Sequence, residues 1–332
     1  MKVHINCPGM WRADLESPER GESRWAQNLV KLLGTAGHEV YASSYGYPEW
    51  VNPPVPNVTL LNETMDMRVL GKLDLHIDAS WWDGKVFPID AKKKVMVKWS
   101  LEDYLKKEPL PKDHYLFYPY ESREVLFMND QNPSRDRTFF MPIPLCEKFE
   151  EPKFNNKGIL WPSKGLDVEA GFKGTAAFVL KEVLYPLLEQ DNSLFVIWMM
   201  YHELIKTDLD IRVRNGIDER YPSCAYNVVI DLLKRSKIAL PINHPGSILE
   251  CAAYGVASLI WEDAGFFPEV AKNNGLLIER GAKKERIKEV ILQLLNDESV
   301  YNKYVKDLQY VLRHHENPTA LSIFNDIMSK IF

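Results

Sequence analysis

The sequence predicts an α/β protein made of two doubly wound halves. Three observations predict it: a length suited to about two domains, a strand–loop–helix–strand unit at the amino end, and a second alternation of strands and helices opening at Lys157. The 332 residues are 45% hydrophobic and 26% charged, a globular usage that excludes a disordered or collagen-like chain.

Each element can be justified in turn. Residues 2–6 alternate weakly and stop at Pro8-Gly9, which reads as a strand with a turn behind it. A polar stretch leads to Gly21-Glu22-Ser23, and Trp25, Leu29, Leu32 and Leu33 then recur at helical spacing until Gly37 ends the helix. Residues 39–43 are extended, completing the first unit. Strands are expected at 73–79, 94–99, 115–118 and 138–142, short apolar runs bounded by proline or charge. Lys92, Lys93, Lys94 and Lys98 form a dense basic cluster, read as a solvated loop ahead of a strand.

The second series has strands at 158–162, 194–200, 238–241 and 257–261, and helices at 175–188, 226–235, 247–254 and 267–272. Run 194–200 is wholly apolar, as expected of a strand buried on both faces of a parallel sheet. Amphipathic helices follow at 285–295, 300–314 and 320–331. Proline and charge between 144 and 157 mark a linker, so the expected organisation is an N-terminal domain 1–145, linker 146–157, a second domain 158–310, and a closing helix 311–332 returning toward the N-terminal domain.

Composition also narrows the function. The chain carries 41 basic against 46 acidic residues, a net charge of -5, which disfavours a bulk nucleic-acid binder. The longest apolar run, 194–201, falls far short of the ~20 residues that span a bilayer. The amino end lacks the apolar core of a signal peptide, so a cytoplasmic location is expected. Cys7, Cys146, Cys224 and Cys251 are scattered with no CxxC spacing, which speaks against a disulfide framework or zinc knuckle and fits a reducing compartment. Asp208-Leu209-Asp210 is a lone DxD in a polar loop and reads as surface.

Stretch 236–279 reads SKIALPINHPGSILECAAYGVASLIWEDAGFFPEVAKNNGLLIE. Its pieces are Pro241, Gly246, Glu250-Cys251-Ala252, Gly255-Val256-Ala257, Ala264-Gly265 and Pro268-Glu269. In that order they resemble the donor-binding half of GT-B glycosyltransferases, most closely the retaining family 4 type. Residues 21–40, ending GHEV, look like that fold's first loop and helix, and FFMPIPL at 139–145 sits where its pre-linker strand would be. The resemblance implies two facing Rossmann-like domains, an acceptor side in the first and a nucleotide-diphosphate sugar donor in the second. It also implies that neither cofactor nor metal is required. The family's two glutamates lie eight positions apart; the first falls at Ile242 here, and only the second, Glu250, is present.

Such a transferase must hold a diphosphate, hold a ribose, and stabilise a leaving group gaining negative charge. A helix amino end offers outward N–H groups and about half a positive charge, an anion site. Gly246, Ser247 and Ile248 open the 247–254 helix after a strand, either as that site or as a plain turn with a serine N-cap. Glu250 makes a capping box with Ser247, or accepts ribose hydroxyls as the resemblance implies; the two are compatible. Lys164 and Lys173 fall where the resemblance places a phosphate-clamping Arg and Lys, or are solvated loop lysines, and Lys164 lacks the guanidinium fork. Retention is suggested by the resemblance alone; an inverting enzyme would need a general base, for which Asp78, ending strand 73–79, is the candidate, or else Asp78 caps the following turn. His76 is read as alternating to the other face, a packed or surface histidine.

His244 is placed to meet the donor sugar where Ile242 cannot, Gly21 and Glu22 form a candidate acceptor or phosphate loop, and Trp81 and Trp82 offer stacking faces or simple core. The leading expectation is glycosyl transfer from a nucleotide-sugar to a saccharide, lipid, small molecule or, less favoured by charge, DNA. A nucleotide-sugar epimerase, a DNA-modifying glucosyltransferase and a degenerate nucleotide-binding protein are the competing expectations.

Overall fold

The computed structural model describes residues 1–7, 21–44, 55–62, 70–79, 89–97, 112–119, 135–163, 179–200, 217–221, 226–240, 245–262, 267–279 and 281–332. It divides into two compact units, Met1–Glu147 with His314–Phe332, and Lys148–Arg313.

The first unit is built on seven parallel strands: β1 (Lys2–Asn6), β2 (Glu39–Ser44), β3 (Val58–Asn62), β4 (Leu73–Asp78), β5 (Ala91–Val97), β6 (His114–Tyr118) and β7 (Thr138–Phe140). Their order across the sheet is β3-β2-β1-β4-β5-β6-β7, the doubly wound arrangement whose direction of winding reverses between β1 and β4. Side chains alternate faces along each strand. Val3, Ile5, Val40, Ala42, Leu75, Ile77 and Val95 are buried on one face, where their apolar area drives the fold. Helix α1 (Gly21–Thr35) buries Trp25, Ala26, Leu29, Val30 and Leu33, and the Trp25 indole N–H donates to the Met141 carbonyl at 3.3 Å. Gly37 follows α1 at φ 86°, a left-handed stop that glycine reaches without a Cβ clash.

The basic cluster is not a loop. Lys92, Lys93 and Lys94 lie inside β5, and alternation sends them to opposite faces. Lys92 pairs with Asp74 at 2.6 Å, while Lys93 lies over the Tyr115 and Phe332 rings. Long aliphatic stems let lysines sit on a sheet with their ammonium groups still satisfied, so charge alone is a poor loop signal. Lys98 lies outside the described residues.

The second unit has a five-stranded parallel sheet in the order β10-β9-β8-β11-β12, from β8 (Gly158–Ser163), β9 (Phe195–Met200), β10 (Glu219–Tyr221), β11 (Ser236–Ala239) and β12 (Ala257–Ser258). Here the winding reverses between β8 and β11. A π-helical turn, Val179–Leu184, runs into α2 (Tyr185–Gln190). Among the described residues, helices α3 (Tyr226–Arg235), α4 (Pro245–Ala253), α5 (Pro268–Asn273), α6 (Lys284–Asn296) and α7 (Glu298–Leu312) follow. Tyr301 on α7 donates from its hydroxyl to the Lys237 carbonyl at 2.6 Å and the Gly255 carbonyl at 3.0 Å, fastening the helix to the sheet.

The last helix, α8 (Asn317–Ile331), belongs to the first unit and buries Ala320, Phe324, Ile327, Met328 and Ile331. His315 ties its start to that unit: the Ile143 N–H donates to its Nδ1 at 2.9 Å, and the Leu145 N–H donates to its carbonyl at 2.9 Å. No helix among the described residues is long and apolar enough to cross a membrane.

Candidate functional site

In open parallel sheets, ligands gather outside the carboxyl ends of the strands where the winding reverses, because the two flanking connections leave in opposite directions and open a crevice. Each unit has one such point.

In the first unit it is formed by the last residues of β1 and β4, Asn6 and Asp78, which are register partners. The Asn6 side-chain amide donates to Asp78 Oδ1 at 3.3 Å. Behind that pair lies a connected set of polar side chains on one sheet face. The Ser43 hydroxyl donates to Asn6 Oδ1 at 2.9 Å, His4 Nε2 stands 3.0 Å from Ser43 Oγ, and His4 Nδ1 stands 3.0 Å from His76 Nδ1. The two imidazoles stack, centroids 5.0 Å apart and planes 12° from parallel. His4, Asn6, Ser43 and His76 are all buried. Leaving any one of them unpaired there would cost roughly 1–3 kcal/mol, so the connections are a requirement of folding as well as a feature of the site.

Burial pushes His4 down to about 3, and the neighbouring His76 adds to the effect. Burial likewise pushes His76 down to about 4; Asp78 opposes this, while Lys94 and His114 reinforce it. Both rings are therefore neutral near neutral pH. The expectation that His76 turns away from Asp78 is corrected here: two residues apart on a strand means the same face, and His76 and Asp78 share it.

In the second unit, β8 and β11 flank the reversal, and α4 begins shortly past the end of β11. The helix starts at Pro245, two residues earlier than its apolar spacing indicates, with proline at a position where no N–H is needed. Gly246, Ser247 and Ile248 are thus inside its first turn. The capping-box reading of Ser247 with Glu250 is overturned: Ser247 is already helical, so it cannot be the cap. Ile248 is fully buried and packs into the unit's core, which leaves backbone rather than side chain as its possible contribution. Glu250 lies one turn in and is only 8% exposed. A carboxylate so placed requires partners.

Behind it the chain is locked by Gly255. At φ 73° it occupies a left-handed position, and a Cβ there would run into the Glu151 carbonyl oxygen. The Glu150 N–H donates to the Ala253 carbonyl at 2.8 Å, and the Lys153 N–H to the Gly255 carbonyl at 2.9 Å. Residues 150–153 are thereby fastened to the end of α4.

Gly21 and Glu22, expected in a loop, form the first turn of α1. The apolar spacing begins only at Trp25, inside the helix. Lys164, Lys173 and His244 lie outside the described residues, as do Ile242, Trp81, Trp82 and the 208–210 triplet. Reading the sequence missed His4, Ser43 and Asn6. The signal was present: polar residues at period two, His4 and Asn6 in β1 matching His76 and Asp78 in β4, between positions that are otherwise valine, isoleucine and leucine. Among the described residues no group of three or more His, Cys, Asp and Glu side chains is placed to hold a metal ion.

No protein-family model and no curated protein matches the sequence. Solved structures do match. WaaG, a glycosyltransferase involved in lipopolysaccharide biosynthesis, is similar at TM-score 0.59 and 14% identity, over 98% of this chain and 99% of that one. HepE of Anabaena, solved with UDP and glucose, is similar at TM-score 0.60 and 10% identity, over 99% and 100%. An α-glucosyltransferase solved with UDP-glucose and DNA containing an abasic site is similar at TM-score 0.59 and 11% identity, over 100% and 99%. At such identities the likeness is one of fold. The chain has the GT-B fold, two Rossmann-like α/β units, along its whole length.

Proposed function

We propose that the protein is a glycosyltransferase that moves a sugar from a nucleoside-diphosphate sugar to an acceptor, with the donor on the second unit. One observation carries the reading: at the reversal point of that unit, the opening turn of α4 is followed one turn later by the buried carboxylate of Glu250. The helix end supplies positive potential to a diphosphate, and the carboxylate accepts hydroxyls of the ribose. Both groups are fixed before the ligand arrives, so little ordering cost is left to binding.

In this reading Lys164 and Lys173 neutralise the charge that develops on the departing diphosphate, which lowers the barrier without a metal ion or other cofactor. His244 meets the sugar in place of the missing acid at Ile242. Asp78, at the reversal point of the first unit, accepts the proton of the attacking acceptor hydroxyl. The class of donor is a hexose carried on a nucleoside diphosphate. UDP-glucose is the first to test, since UDP with glucose and UDP-glucose occupy HepE and the α-glucosyltransferase.

The test is a thermal-shift series with UDP, GDP, dTDP and their hexose conjugates. A ligand at 100 times its dissociation constant stabilises by about 2.7 kcal/mol, a clear rise in Tm. A rise with one base, followed by release of that nucleoside diphosphate when acceptors are supplied, sustains the proposal. Flat melting curves across the series overturn it, and a rearranged nucleotide-sugar formed without any acceptor replaces it with epimerisation.

A further inference from the structure

With the Asn6 amide oxygen turned to Ser43 and its nitrogen to Asp78, the contacts joining His76, His4, Ser43 and Asn6 admit one assignment of hydrogens. The Ser43 hydroxyl has a single proton, and it goes to Asn6 Oδ1. Ser43 Oγ must then accept at its other contact, so His4 carries its proton on Nε2. His4 is neutral, so its Nδ1 bears a lone pair. The 3.0 Å contact between His4 Nδ1 and His76 Nδ1 therefore requires the proton to sit on His76 Nδ1. At the other end, Asn6 accepts with its oxygen and donates with its nitrogen, to Asp78. Every bond points the same way: His76 to His4, His4 to Ser43, Ser43 to Asn6, Asn6 to Asp78.

We propose that His76, His4, Ser43 and Asn6 are positioning residues, a one-directional chain of hydrogen-bond donors crossing β4, β1 and β2 that ends on Asp78 and fixes its carboxylate at the carboxyl edge of the sheet. The chain is buried along its length and Asp78 terminates it at the reversal point of the winding, so its order is set by the core and delivered to the site. Reversal at any link would leave Asn6 presenting its oxygen to a carboxylate, a repulsive contact. Donors that run head to tail also polarise one another, which strengthens the last bond in the series. This inference rests on the reading of Asp78 as the base of glycosyl transfer, while the wiring itself does not.

Two measurements on the full chain test it. Correlation of imidazole nitrogens with ring protons by NMR at pH 7.5 is expected to show His4 as the Nε2–H tautomer and His76 as the Nδ1–H tautomer; the opposite pair, or charged rings, overturns the chain. The second uses Ser43→Ala, which cuts the middle link, and Ser43→Thr, which keeps the hydroxyl. With UDP-glucose as donor, Ser43→Ala is expected to lower kcat roughly tenfold or more with KM unchanged, and Ser43→Thr to restore it. An unchanged kcat in Ser43→Ala, beside a large loss in Asp78→Asn, overturns the positioning role. Should the wild type turn over no nucleotide-sugar, the transferase reading fails by itself. The carboxyl 13C resonance of Asp78 then decides the chain: it is expected to move in Ser43→Ala and return in Ser43→Thr, and a resonance that stays fixed overturns it.

Discussion

The two reversal points draw their polar groups from different parts of the fold. In the first unit the strands themselves are polar on one face, and side chains from three of them converge on Asp78. In the second unit the buried polar side chains of β11, Ser236 and Lys237, lie at its amino end, its last residues Ile238 and Ala239 are apolar, and α4 supplies polar groups beyond the strand end. A backbone helix end suits an anion of fixed shape, since N–H groups point along one axis. A side-chain chain suits a single group that must hold and release a proton, since each link sets the orientation of the next. One architecture thus takes its polar atoms from strand side chains at one reversal point and from a helix at the other.

The largest effect should come from Asp78→Asn. It keeps shape and removes the proton acceptor, so turnover with the donor found by thermal shift should fall by about 10²–10⁴-fold while Tm hardly moves. Equal turnover in wild type and variant would place the base elsewhere and break the comparison on its first side. Next is Gly255→Ala, which forces a Cβ onto the Glu151 carbonyl at a left-handed position. A loss on the order of 3 kcal/mol is expected in denaturant unfolding. Wild-type stability in that variant would show that residues 150–153 are not fastened through α4.

On the second side, Glu250→Gln retains volume but exchanges one acceptor for a donor. UDP binding measured by calorimetry should weaken about tenfold, near 1.4 kcal/mol. Undiminished affinity would remove Glu250 from the ribose and leave it a packing role.

A pH response set by the first unit's chain is the remaining test. His4 and His76 stay neutral in the folded protein down to about 3 and about 4, whereas the unfolded chain takes up protons near the ordinary value of 6.5. The unfolded state therefore binds more protons as pH falls below 6.5, and stability drops from there toward pH 4 and levels off below the folded values. Tm is expected to decline over that range, and His76→Phe should flatten part of the slope. A slope unaffected by His76→Phe would assign the acid response to other groups, such as His315, which burial also holds well below 6.5.

Much of the fold can be read along the chain because its signals are local. The apolar run at 194–200 and the helical spacing at 226–235 correspond to β9 and α3. Strand β3 was not evident, since Val58–Asn62 mixes polar and apolar residues at a sheet edge, where one flank needs no burial. Strand β10, three residues long, gives too short a pattern to register. The start of α4 was misplaced for a specific reason: Ser247 looks like a cap, but Pro245 can begin a helix just as well.

What the chain's order of residues determined was the alternation of strands and helices, the two-unit plan and the chemistry available at 246–250, because hydrophobic period and turn residues act within a few positions. Only the tertiary structure decided which strands are neighbours. His4, Ser43 and His76 are separated by 39 and 33 positions, and nothing local says that they touch. They meet because parallel pairing fixes register across the sheet, and register puts residues distant in sequence side by side on one face.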